Sequence, residues 1–499
     1  MKRKEGSKLF ITPNGYEFVE SYLTDIYSER GKYINCFKSF VKSDFFNAGC
    51  RYADNLDDIP EISIDEIKSI IKAEENTRKT ALEIQARFDD LGKKEKLTKD
   101  DYSYLAGIFG LAPSPPETDW FQTLFPFMVD LFVSNDPDCI EKESAKISEC
   151  LKGKDNLIAA SVSTMIDAIR DKHIINYHGR EIVSQGYAKN YFRGEAAYYK
   201  TSYPSICRGI NDFTINNSVY LKRIINIFEF CLWLESIEAV KTWPYGNVNG
   251  FAIAQHYGIP TPMMDITSDI KVALFFACCY FDANTNSWKP VDSKRINDKA
   301  HQNKLKELGG NPNYGILFSS PAALTERGNY ARDRGEEYKI DGFSLTPVEP
   351  VGYQPFQRCS NQSAYTINAP YYYDAFKDMS FSKVKFKLND EFSKWIFEEM
   401  EQGKCIYPYE GEFDCSFVAE KIKESNEYSE QALLSALNHL KIPAERAEEL
   451  IEQLKHSGYT IKKEIPWCSE AEAKRLSDSC YKHFNEIKFN PTFKFGFCI

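Results

Sequence analysis

The sequence predicts an α+β protein, a mixed sheet-and-helix centre set between helical N-terminal and C-terminal regions. Three observations lead there. The run DIKVALFFACCYF over 269–281 is apolar on nearly every face, so it reads as a helix buried all round. Such a helix must be covered on every side, and short β-type runs at 263–266 and 314–319 flank it. Up to about residue 182, and again from 412 onward, the chain is charged and carries helix-start signals. An apolar content of 43% over 499 residues is enough to fill a core.

In chain order, 1–182 reads as a helical N-terminal region. Ser63 with Glu66 forms a capping box that opens a helix to about residue 91, and Thr98-Lys99-Asp100-Asp101 starts another. Pro113, Pro115 and Pro116 can continue neither a helix nor a ladder, so 112–117 is a hinge. Further helices follow over 120–133 and 157–170. The central domain spans 183–411. Within it 219–234 has helical spacing, and 251–257 is a short helix stopped by Gly258 in a left-handed conformation. Residues 263–266 form a strand feeding the buried helix, with Thr267 or Ser268 as its N-cap. The polar stretch 282–313 reads as an insertion, with Lys294, Arg295, Lys299, Lys304 and Lys306 on a solvated face or steering a polyanion. Strand 314–319 and a loop with Arg327, Arg332 and Arg334 come next. The C-terminal region, 412–499, reads as a helical pair over 429–440 and 443–456, with Pro443 at its N1 position and Gly458 as the stop, then a helix capped by Ser469.

Composition excludes several classes. A net charge of −10 argues against a dedicated duplex-DNA binder, whose affinity comes from clustered cations. The fourteen cysteines show no CxxC pair and no zinc-finger spacing, and there is no HExxH, so no metal is expected. They read as reduced thiols, with a redox pair at Cys278-Cys279 as the alternative to packing. Met1-Lys2-Arg3-Lys4 runs into Glu5-Gly6-Ser7-Lys8 rather than into an apolar stretch. The expectation is therefore no signal peptide and a cytoplasmic protein. The most apolar N-terminal stretch, 121–133, is broken by Pro126 and Asp130, so no membrane association is expected.

Two segments carry chemistry. In Tyr191-Phe192-Arg193-Gly194-Glu195 a short aromatic strand delivers an arginine and then a glycine. A guanidinium keeps its charge and forks two parallel bonds to a phosphate; the plainer alternative is an ion pair of Arg193 with Glu195 or Asp265. About sixty residues on, Gln255-His256-Tyr257-Gly258-Ile259-Pro260-Thr261 leads to Asp265 and Thr267, crowding polar groups against the buried helix. A third stretch, Arg358-Cys359-Ser360-Asn361-Gln362-Ser363-Ala364-Tyr365, lies downstream.

Together these segments resemble the FRG domain family, over roughly 188–410. The motif order is also similar to that of ADP-ribosyltransferases: aromatic-Arg-Gly strand, Ser/Thr strand running into an apolar helix, late Glu or Gln. The resemblance implies an ADP-ribosyltransferase-like mixed sheet core, NAD as substrate, and transfer of ADP-ribose to a macromolecular acceptor, nucleic acid or protein. It implies Arg193, His256 and Gln362 as catalytic residues, and Arg193, His256, Tyr257, Asp265 and Thr267 as the residues holding NAD. In those roles Arg193 holds phosphate, His256 contacts ribose or adenine, and Tyr257 stacks on nicotinamide. Asp265 orients Arg193 or supplies a carboxylate, and Gln362 bonds a ribose hydroxyl. Many transferases carry Glu at the last position, and Gln362 accepts no proton. The alternative classes are a nucleotide- or nucleic-acid-binding module without turnover, and an interaction protein whose helical ends do the work. A bacterial toxin or anti-phage effector, with an antitoxin or defence partner, is the implied setting.

Overall fold

The computed structural model describes residues 49–75, 190–210, 218–243, 248–321, 348–351, 354–368, 373–378, 380–411 and 413–486, besides a few short pieces elsewhere. The expected hinge at 112–117, the helices over 98–170 and the loop with Arg327, Arg332 and Arg334 lie outside the described residues.

Six strands form an antiparallel sheet: β1 (Asn190–Glu195), β2 (Met263–Thr267), β3 (Tyr314–Pro321), β4 (Val348–Pro350), β5 (Ala364–Asn368) and β6 (Ser382–Lys387). Their spatial order is β4-β5-β2-β1-β3-β6. β1 pairs with β3 along its whole length, from Asn190↔Pro321 to Glu195↔Ile316. Toward β2 the pairing is at Phe192↔Thr267 alone. The sheet is thus two three-stranded halves that touch at one residue pair and part beyond it.

Helix α1 (64–75) opens at the expected capping box, with the Ser63 amide donating to Glu66 Oε2 at 2.9 Å. Helices α2 (Ser218–Ser236) and α3 (Gly250–His256) follow, and Gly258, at φ 91°, ends the α3 turn as predicted. The buried helix is α4 (Ile270–Cys278). It is shorter than expected, because Cys279–Asp282 turns into a hairpin strand against Ser287–Pro290. Its N-cap is Asp269, whose carboxylate accepts from the Lys271 amide at 2.9 Å. Thr267 is not the cap: its hydroxyl donates to the Gln362 carbonyl at 2.7 Å and accepts the Asp269 amide. The predicted insertion holds the second hairpin strand and two helices, Ser293–Ile296 and Lys299–Glu307.

On one face of the sheet, α4 packs with α5 (Asp390–Glu399) and with Ile62, Ile67, Ile70 and Ile71 of the N-terminal segment. The opposite face carries Tyr191, Met264, Ile266, Phe318, Tyr365 and Phe376. Strand alternation explains the division in β1: Phe192 and Gly194 face α4, so Tyr191, Arg193 and Glu195 face away. The fit at Gly194 is tight, since a Cβ added there would collide with the Ala273 carbonyl of α4.

The C-terminal helices are α6 (Cys415–Glu424), α7 (Glu430–His439), α8 (Ala444–His456) and α9 (Glu470–Glu486). Pro443 is the N-cap of α8 rather than its first helical residue. These helices share one hydrophobic core with α2 and α3. Buried Glu229 of α2 accepts from the Ser429 amide and, at 3.1 Å, from Trp467 Nε1.

The outer edge of β6 is covered by the N-terminal segment, through bridges Cys50↔Lys383 and Glu61↔Lys385. Three ammonium groups fasten it. Lys383 Nζ reaches the Arg51 carbonyl at 2.7 Å, Lys385 Nζ that of Leu56 at 2.8 Å, and Lys377 Nζ that of Ala53 at 3.0 Å. Covering an edge strand removes a template for association with other chains.

Two predictions follow from these contacts. Gly194→Ala sets a side chain against main-chain atoms that no rotamer change can move, so it should cost more than about 3 kcal/mol, read as a shift in the urea midpoint. Lys383 is fully buried, and burial lowers its pKa to about 8. The unfolded chain then binds more protons between about pH 8 and pH 10.5, and stability from this residue rises with pH across that window. Lys383→Met should flatten that part of the stability–pH curve.

Candidate functional site

Where β1 and β2 part, Arg193 spans the gap. Its Nη1 donates to the Asp265 carbonyl at 2.8 Å, and its Nε donates to Glu195 Oε1 at 3.3 Å. Ser202 Oγ donates to the same carboxylate oxygen at 2.5 Å. The ion pair with Glu195 was one of two alternatives legible in the sequence; toward Asp265 the bond goes to the main-chain carbonyl and not, as the other alternative had it, to the carboxylate. Arg193 and Glu195 lie two residues apart, and so on one face of the strand. Both carboxylates keep an unbonded oxygen. Glu195 Oε2 and Asp265 Oδ1 are buried and have no hydrogen-bond partner among the described residues. A buried acceptor left unbonded costs about 1–3 kcal/mol, which marks the place as one to explain.

The loop after β1 is welded to α3 through Ser205 and the Gln255–Thr261 segment. Gln255 Oε1 accepts from Ser205 Oγ at 2.8 Å and from Thr261 Oγ1 at 2.7 Å, while the Thr261 amide donates to Ser205 Oγ at 2.9 Å. Gln255, Thr261 and Ser205 therefore hold architecture.

A second arginine organises the neighbouring region. Arg358 donates from Nη2 to Asp414 Oδ2 at 3.0 Å and to Ser416 Oγ at 2.9 Å, and from Nη1 to the His256 carbonyl at 3.4 Å. Its guanidinium lies 4.2 Å from the Tyr257 ring centre and 5.4 Å from that of Tyr407. The Tyr257 hydroxyl donates to Glu410, whose other oxygen accepts the Gln357 amide at 2.6 Å. Burial raises the Glu410 pKa. Tyr257, which was expected to stack on a ligand, is 2% exposed, with Arg358 on its face and Glu410 on its hydroxyl. Here it packs.

The remaining predicted residues fall between these two networks. Gln362 sits in the turn before β5, not on the strand, and its Nε2 donates to the Ile406 carbonyl at 3.1 Å. Only 5% of it is exposed, so its amide is committed to the interior. His256 is buried too. Its Nε2 has no partner among the described residues. Asp265 acts electrostatically on both sides: burial lowers the Arg208 pKa and the Asp265 carboxylate works against that shift, whereas burial raises the Tyr407 pKa and the carboxylate adds to it. The structure thus brings Arg193 to Asp265, Thr267 to Gln362, and His256 and Tyr257 to Arg358. The residues missed in the sequence are Arg208, Tyr407, Glu410, Asp414 and Ser416. The last four come from a segment with no motif of its own.

Residues 188–286 match the family model of the FRG domain. This stretch is an FRG domain. It takes in β1, β2 and α2 to α4, a narrower reach than the motifs implied, and leaves Arg358 and Gln362 outside. The chain matches no curated protein and no solved structure. Within the FRG domain, the glycine after Arg193 admits α4, and the Gln255 and Thr261 segment ties α3 to the arginine-bearing strand.

Among the described residues no group of three or more His, Cys, Asp or Glu side chains could hold a metal ion. No described helix is long and apolar enough to cross a membrane. The thiols of Cys278 and Cys279 are buried and free, and burial pushes both pKa values up. They pack as small apolar groups rather than as reactive thiolates.

Gln362→Glu would set a carboxylate oxygen against the Ile406 carbonyl. At neutral pH the variant should lose on the order of 1–3 kcal/mol. Because burial raises the folded-state pKa of such a group, the loss should grow as pH rises from about 4 to 7 and shrink in acid. Thermal melts of the variant and the parent across that range check both magnitude and direction.

Proposed function

We propose that the chain is an NAD-dependent ADP-ribosyltransferase acting at the parting of β1 and β2. The observation that carries this reading is the placement of Arg193, Thr267 and Gln362 on or beside three adjacent strands, in the order β5-β2-β1. Arg193 stands where strand pairing stops. In the reaction the bond between ribose C1′ and the nicotinamide nitrogen breaks, and its electron pair leaves with nicotinamide. A nucleophilic atom of the acceptor then bonds C1′ and gives up its proton. Little covalent chemistry is asked of the protein, which must clamp the dinucleotide and stabilise a cationic ribose.

On this reading Arg193 holds phosphate through Nη2, the nitrogen its two bonds leave over. Asp265 and Glu195 are the carboxylates near the arginine, and either suits the acceptor proton or the charge on ribose better than Gln362, whose amide is engaged with Ile406. Gln362 and Thr267 are positioning residues, and His256 is a buried donor or acceptor at the edge of the site. The acceptor is a nucleic acid or a protein, and the setting is a toxin or defence effector of a bacterial cell. One observation favours a second reading, a nucleotide-binding module without turnover: no carboxylate stands at the late-strand position.

The test measures nicotinamide release and NAD affinity on the full chain, with cell extract as acceptor source. The parent should release nicotinamide. Arg193→Gln should weaken NAD binding ~30- to 100-fold, and Arg193→Lys, which keeps the charge but loses the fork, should also be impaired. NAD binding without release from the parent would move the assignment to the binding module.

A further inference from the structure

The polar insertion before β3 has no part in the reading above. Over 293–306 it carries Lys294, Arg295, Lys299, Lys304 and Lys306 against Asp298 alone, in a chain whose net charge is −10. The four lysines are exposed, and none of the five cations forms an ion pair with a described carboxylate. The carboxylates that start the two helices are engaged by main chain instead. Asp292 accepts the Arg295 amide at 2.8 Å, and Asp298 the His301 amide at 2.8 Å. On the C-terminal helices, by contrast, exposed lysines have counter-ions: Lys455 pairs with Glu452 at 2.7 Å and Lys474 with Asp478 at 2.8 Å.

The insertion is fastened at both ends, and its far end is fastened to the segment that leaves β1. At its start the Ser293 amide and hydroxyl donate to Asp390 Oδ1 of α5 at 2.8 and 2.6 Å. Between its helices Gln302 Nε2 donates to the Ile296 carbonyl at 3.0 Å, and Arg295 is steadied over the Tyr280 ring at 4.4 Å. At its end Asn311 exchanges two main-chain bonds with Tyr198, at 2.9 and 3.0 Å. Beside them a Cβ on Gly309 would meet that of Lys200 at 2.9 Å. Lys200 is itself exposed and forms no ion pair among the described residues. The cations therefore stand at fixed places next to the loop that continues the Arg193 strand.

Surface chemistry narrows the partner. Of the two helices only Leu305 is buried, and neither exposes a large apolar side chain. A protein partner is met by an apolar centre with a polar rim. Point charges without such a centre fit phosphates, whose contacts are polar and cationic. We infer that the insertion is a docking arm for the phosphate backbone of a nucleic acid, and that a nucleic acid is the acceptor of the reaction proposed above. The choice of acceptor rests on the transferase reading, whereas the docking itself does not. Each lysine that meets a phosphate displaces counter-ions, so binding tolerates any sequence and weakens steeply with salt. The acidic remainder of the chain repels the same polymer and confines contact to this arm. Burial lowers the His301 pKa, and Arg295 and Lys304 lower it further against the pull of Asp298; a phosphate among them raises it.

The experiment is fluorescence anisotropy of a labelled mixed-sequence oligonucleotide with the full chain, over a series of salt concentrations. The parent should bind at low salt, and NMR should show the His301 pKa rising on binding. Lys299→Gln, Lys304→Gln and Lys306→Gln combined should weaken binding about 10- to 100-fold and reduce the slope of log affinity against log salt by about 2. The same change at Lys455, Lys462 and Lys474, which are exposed and paired with carboxylates, should have little effect. Circular-dichroism melts establish that both variants are folded. Equal losses in the two variants overturn the inference, as does a parent that binds no oligonucleotide at low salt. Polyglutamate bound as tightly through the same lysines also overturns it, and makes the arm a site for acidic protein. Transfer of labelled ADP-ribose to a cell extract separates the claims. Labelling that survives nuclease treatment overturns the choice of acceptor alone, and lysine-dependent oligonucleotide binding without any nicotinamide release overturns the enzyme reading alone.

Discussion

The contact on which the rest of this structure depends is between bare backbones, where Gly194 of β1 lies against the Ala273 carbonyl of α4. A helix apolar on every side gains by burial only if it is covered on every side. The sheet supplies one cover, with α5 and the N-terminal isoleucines supplying another. Because the approach to β1 leaves no room even for a Cβ, the strand can neither rotate nor slip without losing it. That fixes which side chains of β1 are core, and it sends Arg193 and Glu195 to the other face. The face on which Arg193 and Glu195 stand is thus a by-product of how α4 packs.

Two arginines near the parting of the strands show how partners decide role. Arg358 has a carboxylate, a hydroxyl, a carbonyl and two aromatic faces. An arginine whose terminal nitrogens are engaged in this way is structural, although its buried Nε has no hydrogen-bond partner, and removing it would strand buried charges. Arg193 is only partly bonded.

Much of this was legible in the sequence, for physical reasons that can be named. The position of α4 came from its apolar run, and those of α2, α3 and the last three C-terminal helices, α7 to α9, from period and caps; α6 was not foreseen. The Arg193–Glu195 pairing followed from the two-residue repeat of a strand. The hairpin at Cys279 was not legible, since a short apolar run does not tell a helix end from a strand. Thr267 was misread as a cap because Asp269, two residues on, carries an equally good acceptor, and tertiary contact with Gln362 decided between them. Tyr257 and Gln362 were read as facing a ligand, whereas their partners, Arg358, Glu410 and Ile406, lie far along the chain and gave no local signal. Nor did the sequence hint that the helices after 412 complete the core begun by α2 and α3.

The latch of N-terminal carbonyls on β6 has a bearing on how the chain is made. Lys383 and the Arg51 carbonyl it holds are 332 residues apart. During synthesis the segment around Arg51 emerges long before its partner strand, and so does β1, whose neighbour β3 is also still to come. The early part of the chain must wait with apolar isoleucines and an unpaired strand exposed, and sheet closure comes late. A protein assembled in this order depends on being kept from premature association while it is still on the ribosome.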